Sequence, residues 1–300
     1  MNASRSTPIA PARAGAIGVF ALVAIAALSG CSPAPLTRLP EGITVAIQQN
    51  RDDYGPRRLE LVVTNDGSEP VTVTRAVFTS PGFVSAASWD RPAEIVAGTT
   101  TNLRVQLPEA DCDGAASAGA GLGGSVLLDF TRPDGRTGSA SVTPDDPFDA
   151  ITAVTTQDCA AESVAEIATI GLADTLRTVK RDGELVALLD LTVTPTGDPR
   201  DLVVESVSDT ILVRSASSDG WAVHKRLTAA SAPLVVTLDF VPNNCRLHTV
   251  AEDKRGTYFP VTVRVAPGTA DAANLTFPVA ASTAVKQQVY AYIADYCGWD

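Results

Sequence analysis

Three hundred residues carry 34 acidic against 23 basic side chains, a formal net charge of −11, with 45% of positions hydrophobic. A chain this acidic repels phosphate backbones and has no basic stripe to offset the repulsion, so nucleic acid is excluded from the expected partners. The length suffices for two domains of common size.

The first thirty residues read as a targeting element. Arg5 and Arg13 supply a positive start, residues 14–29 are almost wholly apolar, and Leu28-Ser29-Gly30-Cys31 closes the run. This box resembles that of bacterial lipoprotein signal peptides, in which a Leu, two small residues and a Cys stand in this order. The resemblance implies that residues 1–30 are removed, that Cys31 is diacylated and becomes the mature amino end, and that the protein is lipid-anchored on the extracytoplasmic face of the cell membrane. Two acyl chains hold where one is marginal, because each buried methylene contributes about 0.8 kcal/mol. A retained helical anchor or a plain cleaved signal is the alternative, but a run of 16 residues falls short of the roughly 20 that span a bilayer.

After cleavage, 21 basic against 34 acidic residues leave a net charge of −13. Without Cys31 an even set of cysteines remains, Cys112, Cys159, Cys245 and Cys297, which suits disulfides in an oxidising compartment. Residues 31–42 hold the lipidated Cys and a Pro-rich stretch (SPAPLTRLPEG), expected to be an extended spacer. Only four basic residues are Lys, and Ala and Gly abound, a bias that points to a high-GC genome such as an actinobacterium.

From Ile43 onward the pattern has period two. Leu59, Leu61 and Val63 alternate with Glu60, Val62 and Thr64, as in a strand with one face buried. Asn65-Asp66-Gly67-Ser68 makes a turn, and Val71 and Val73 resume on the next strand. There the apolar phase slips to Ala76 and Phe78, which predicts a β-bulge near Arg75. Further strands are predicted over residues 100–107, 125–130, 138–143 and 150–156, with Pro133-Asp134-Gly135 turning between two of them. In the second half Leu189, Leu191 and Val193 form the inward set, and Pro260 predicts an edge strand or a bulge. Short strands separated by turn signals predict an all-β fold of two tandem immunoglobulin-like β-sandwich domains, over residues 43–160 and 161–300. The boundary is expected within residues 160–173, where a short helix is the other reading.

The halves repeat. Gly82-Phe83 answers to Gly220-Trp221, and the intervals from Phe83 to Cys159 and from Trp221 to Cys297 are both 76. In each half an apolar strand leads to a Pro (Pro108, Pro242) and then a Cys (Cys112, Cys245), and a closing strand is expected to end in the second Cys. Of the three connectivities open to four cysteines, duplication selects Cys112 with Cys159 and Cys245 with Cys297.

Motifs for chemistry are sparse. Gly119, Gly121 and Gly124 have G-x-G-x-x-G spacing, but a dinucleotide loop needs a strand before it and a helix after it. Here a strand is expected after it, so a flexible connection is the expectation and no cofactor is assigned. Cys245-x-x-His248 is half a zinc site at best, and its Cys is already expected in a disulfide. Asp111 and Asp113, and Asp145, Asp146 and Asp149, are oxygen-rich but match no EF-hand, which leaves Ca²⁺ open and no metal ligand assigned. A hydrolase would need His224 or His248 beside a Ser and a carboxylate.

The densest polar cluster runs from Cys245 to Thr257 and includes His248, Glu252, Asp253, Lys254 and Arg255. As a strand it would place His248, Val250 and Glu252 on one face, with Asp253 to Gly256 at a hairpin tip. The string is similar to one in actinobacterial membrane lipoproteins, a resemblance of about a dozen residues that implies no activity. A solvated, salt-bridged turn is one reading. A binding surface anchored by Arg255 with Trp221 or Trp299 is the other. The sequence therefore predicts a non-enzymatic, lipid-anchored binding or structural module of the envelope, facing an envelope protein or glycan. The alternative is a receptor or accessory subunit that captures a small ligand or cation between its modules.

Overall fold

The computed structural model describes residues 34–217, 220–251, 253, 255–269 and 272–299. The signal expected over residues 1–30, the lipidation site Cys31, and the cluster residues Glu252 and Lys254 lie outside them. Among the described residues no helix is long and apolar enough to cross a membrane.

The first half runs β1 (Ile43–Gln48), β2 (Arg58–Asn65), β3 (Val71–Thr79), β4 (Ala87–Trp89), β5 (Ala93–Ile95), β6 (Thr99–Gln106), α1 (Cys112–Ala118), β7 (Ser125–Thr131), β8 (Thr137–Val142) and α2 (Ala150–Ile167). Strands β1-β2-β6 form one sheet, and β4-β3-β7-β8, with β5 also on β3, form another. Leu59, Leu61 and Val63 point inward from β2 and meet Val73, Ala76 and Phe78 of β3 in one apolar core. The pairing of β3 with β7 shifts between Val73 and Arg75. That bulge returns Ala76 and Phe78 to the buried face after Val71 and Val73, as the phase slip predicts.

The second half runs β9 (Ala168–Leu172), β10 (Arg177–Arg181), β11 (Glu184–Pro195), β12 (Leu202–Val207), β13 (Val213–Ser215), β14 (Trp221–Leu227), β15 (Leu234–Pro242), α3 (Leu247–Ala251), β16 (Tyr258–Val265), β17 (Ala273–Ala280) and α4 (Thr283–Cys297). Its sheets are β10-β11-β15-β13, with β9 on β11, and β14-β12-β16-β17. All four sheets are antiparallel. The molecule is mostly β, and each core is filled from two sheets, consistent with β-sandwich packing.

The repeat is visible in the pairings. The orders β1-β2-β6 and β3-β7-β8 recur as β10-β11-β15 and β12-β16-β17. Cys112 is bonded to Cys159 and Cys245 to Cys297, each pair with Cα atoms 5.5 Å apart. Two disulfides are the chemistry of an oxidising compartment and point to an extracytoplasmic protein.

Four local expectations are corrected. Residues 150–156, expected as a strand, begin the 18-residue α2. The β-branched Ile151, Thr152, Val154, Thr155 and Thr156 favour extended backbone, but two other forces win. The Asp146 carboxylate accepts from the amides of Ala150 and Ile151 at 2.8 and 3.1 Å, satisfying donors of the first turn. Ala150, Ile151 and Val154 then bury in the first core, whereas Ala160, Val164 and Ile167 bury in the second. The helix thus covers residues 160–167 of the stretch where a boundary is expected, and β9 follows it directly.

The second closing strand is likewise a helix, α4. Ser282 caps it, Gly298 ends it at φ 66°, and Val285, Val289, Tyr292 and Ile293 form its buried stripe. Of the two readings of Pro260 the edge is overturned, since β16 is flanked on both sides by β12 and β17, whereas the pairing of β12 with β16 does carry a bulge, between Val204 and Ser206 opposite Val263 and Thr262. Pro260 is tolerated because it faces Ser208, one residue past the end of β12, whose amide donates to the Pro260 carbonyl at 2.9 Å. Finally, part of the expected spacer is docked. Leu36 donates to Thr137 and accepts from Ser139, both at 2.9 Å, along the edge of β8.

Candidate functional site

A cavity of about 900 Å³ opens where the two halves meet. Arg51 and Tyr54 line it from the β1–β2 loop, Ile211 from the β12–β13 loop, Arg246, Leu247, His248 and Thr249 from the α3 segment, and Arg255 from the turn before β16.

Two of the contributing segments are fixed by buried carboxylates. The β1–β2 loop is tied down by Asp53, whose side chain is fully buried. Its Oδ2 accepts from the Asn50 amide at 3.1 Å, and its carbonyl accepts from the Arg58 amide at 2.8 Å. Arg104 Nε lies 3.0 Å from Asp53 Oδ1, close enough for an ion pair but not aligned as a hydrogen bond. The same guanidinium donates to Glu60 Oε1 at 2.7 Å, and Asn102 donates to Glu60 Oε2 at 2.6 Å. Glu60 is also buried, although the period of β2 would allow it outward. Burial pushes the Asp53 carboxyl up, and the charge of Glu60 adds to the effect against the Asn50 amide and Arg104. Burial pushes Glu60 up as well, but donation from Arg104, Asn50 and Gln48 outweighs it and holds Glu60 below the usual carboxylate range.

On the opposite wall Asp253 does comparable work. It is buried, its Oδ1 accepts from the Arg255 and Gly256 amides, and its Oδ2 accepts from the Tyr290 hydroxyl at 2.8 Å. The turn carrying Arg255 is thereby pinned to α4. The Arg255 guanidinium then stacks 4.0 Å from the Tyr54 ring centre, joining the two walls. Thr210 Oγ1 donates to the Gly256 carbonyl at 2.8 Å, and Cys245–Cys297 holds the start of the α3 segment to the end of α4.

A Cβ at Gly256 would meet Leu212 at 2.2 Å. Gly256→Ala should therefore displace the loop bearing Ile211 and cost roughly 1–3 kcal/mol. A lowered urea midpoint with unchanged slope checks this.

The structure separates the residues singled out in the sequence. His248 and Arg255 line the cavity. Asp253 is a buried turn anchor. Trp221 belongs to the second core rather than to the surface cluster. It is 7% exposed, edge-on to Phe259, and its indole N–H reaches Asp239 at 3.1 Å. The stretch expected as a strand bearing His248 and Val250 is the helix α3. Sequence reasoning missed Arg51, Tyr54 and Ile211, which no spacing connects to the cluster. Arg246 and Leu247 fall within the polar cluster from Cys245 to Thr257, and adjacency to Cys245 is the one signal they carry.

Other candidates resolve into local structure. Asp111 caps α1 through the Gly114 amide at 2.8 Å. The Gly-rich stretch follows α1 and leads into β7, the reverse of a dinucleotide loop. His224 Nδ1 lies 3.0 Å from Glu205 Oε2, but among the described residues neither His224 nor His248 is hydrogen-bonded to a serine. Among the described residues no group of three or more His, Cys, Asp or Glu side chains is placed to hold a metal ion.

The sequence matches no family model and no curated protein. Over 82% of its length the chain is similar in structure to 32% of red sea bream transglutaminase, at a TM-score of 0.23 and 11% identity. Over 79% it is similar to 58% of the Yersinia pseudotuberculosis adhesin InvE, at a TM-score of 0.16 and 14% identity. The chain thus spans about a third of the first and less than two thirds of the second, and likenesses at this level carry no argument about activity.

Proposed function

We propose that this chain is an extracytoplasmic binding protein, two tandem immunoglobulin-like sandwiches held to the cell membrane by a lipid on Cys31, and that it takes its ligand in the cleft at the junction of the halves. The observation that carries this reading is the cleft itself. About 900 Å³ is within the range that small-molecule sites occupy, and sites of this kind favour junctions between domains. Its walls combine apolar Ile211 and Leu247, 55% and 64% exposed, with polar groups whose backbone is fixed by Asp53 and Asp253. Large exposed aliphatic side chains lining a cavity that also carries charged groups are a recognition surface rather than a folding requirement. The receptor reading is therefore preferred to a purely structural role.

Two measurements test it. Cys31→Ala should move the protein from the membrane fraction to the soluble fraction and abolish palmitate incorporation; retention with unchanged mobility defeats the anchor. For the cleft, fractions of envelope extract are screened by thermal shift against the wild type and a Leu247→Asp variant, which alters only an exposed position. At least one fraction should raise the wild-type Tm and leave the variant unmoved. Equal responses in both proteins, or none in either, would remove the cleft as the recognition surface.

A further inference from the structure

About half of the described arginines are neutralised where they stand. Nine of them, Arg57, Arg75, Arg104, Arg132, Arg177, Arg181, Arg200, Arg226 and Arg264, have a carboxylate within 4.0 Å. In a chain of net charge −11, acidic partners are plentiful. Yet Arg51, Arg246 and Arg255 line one cavity, drawn from segments almost two hundred residues apart, and among the described residues none of the three has a carboxylate within ion-pair reach. His248 adds a fourth nitrogen-bearing side chain to the lining. Arg255 is half-buried and held by the Tyr54 ring and the Asp253 turn, so its planar fork is already oriented and loses little freedom on binding. Among the described residues, three guanidiniums brought to one cavity with no carboxylate in ion-pair reach make it complementary to an external anion. The apolar part of the lining, Ile211 and Leu247, would be wasted on a bare inorganic ion.

Resting on the cleft reading above, we infer that the ligand is an organic oxyanion: a carboxylate or phosphate head received by Arg51, Arg246 and Arg255, with an apolar body laid against Ile211 and Leu247. The same chemistry is presented by a free metabolite and by an anionic lipid headgroup, and the probes must tell these apart.

The full mature chain is titrated calorimetrically at fixed ionic strength with hexyl phosphate and hexanoate, and with inorganic phosphate, hexanol and hexylamine as controls. Hexyl phosphate or hexanoate should bind at least tenfold more tightly than inorganic phosphate, and hexanol and hexylamine should not bind. Arg255→Ala should weaken the better probe by about tenfold or more, as expected for loss of one charge-assisted pair. Arg136→Ala, an arginine remote from the cleft, should leave it unchanged. Flotation with phosphatidylglycerol against phosphatidylcholine vesicles assigns the source. Arg255-dependent binding to the former alone indicates a lipid headgroup, and no vesicle binding indicates a soluble ligand.

Equal affinity for hexanol and the anions, or Arg255→Ala without effect, would overturn the inference. If an envelope fraction still stabilises the wild type but not Leu247→Asp while no anionic probe binds, the cleft reading stands and the oxyanion assignment falls. Should neither respond, both fall.

Discussion

Replacing Arg104 by alanine should destabilise the protein by about 3 kcal/mol at neutral pH and make the loss depend on pH. The Asp53 side chain is fully buried and that of Glu60 is 2% exposed, and Arg104 is the one cation within 4.0 Å of either among the described residues. Removing one partner of a buried ion pair costs roughly 3–5 kcal/mol, because the remaining charges are left uncompensated. The lower end applies here, since Arg104 itself is 42% exposed and water can enter the space it leaves.

The sign of the pH effect follows from the two carboxyls. In the wild type Glu60 is held below its ordinary value, so it contributes stability that is present above about pH 4.3 and lost as pH falls through its folded-state value. Asp53 is raised, so its ionisation works against the fold as pH rises through its own folded-state value. Without Arg104 the Asp53 carboxyl rises further and Glu60 loses the strongest donation that holds it down, so the folded variant binds more protons than the folded wild type and its deficit shrinks as pH is lowered. Urea midpoints at pH 5, 6 and 7 should show the gap between wild type and Arg104→Ala narrowing towards pH 5. A gap that stays constant would mean that Arg104 acts through packing of its stem and not through charge. Because Asp53 also positions Tyr54, the variant should lose the Tyr54–Arg255 stack as well.

The strands were legible in the sequence because burial on one face of a sheet enforces an alternation that short-range inspection detects. Leu59, Leu61 and Val63 show it, and even the bulge at Arg75 left its phase slip. The two helices were misread for a physical reason. In α2 the β-branched residues speak for strand, and the decisive terms, the Asp146 cap and the sharing of one helix between two cores, depend on packing partners distant in sequence. In α4 the signals were present, with Ser282 before the helix, a stripe at Val285, Val289, Tyr292 and Ile293, and Gly298 after it, but the repeat drew both halves towards the same wrong element. The cleft was half legible. His248 and Arg255 stood out by charge density, whereas Arg51 and Tyr54 join them only through the tertiary fold. Trp221 was misplaced because an aromatic beside a Gly reads equally as a surface anchor or as the first buried residue of a strand.

The two disulfides should be worth nearly the same stability and yet differ in what they do to the cleft. Cys112–Cys159 and Cys245–Cys297 close separations of 47 and 52 residues, for which the chain-entropy account gives about 4 kcal/mol each. Against the ~5–15 kcal/mol of an ordinary domain, removing either should lower the urea midpoint substantially. Their surroundings differ. Cys112–Cys159 joins α1 to α2 on the first half, and neither cysteine lines the cleft. Cys245 immediately precedes Arg246, Leu247 and His248, three of the lining residues, and the bridge to Cys297 ties that segment to α4. The α3 segment buries no side chain of its own, so few apolar contacts would hold it once the bridge is gone. Cys245→Ser/Cys297→Ser, assayed below its unfolding midpoint, should therefore lose probe binding in the cleft by more than the double variant Cys112→Ser/Cys159→Ser of matched stability. Equal binding in the two, at equal fraction folded, would show that the rim is held by Asp253 and Thr210 alone, and that the second bridge serves only the stability of the fold.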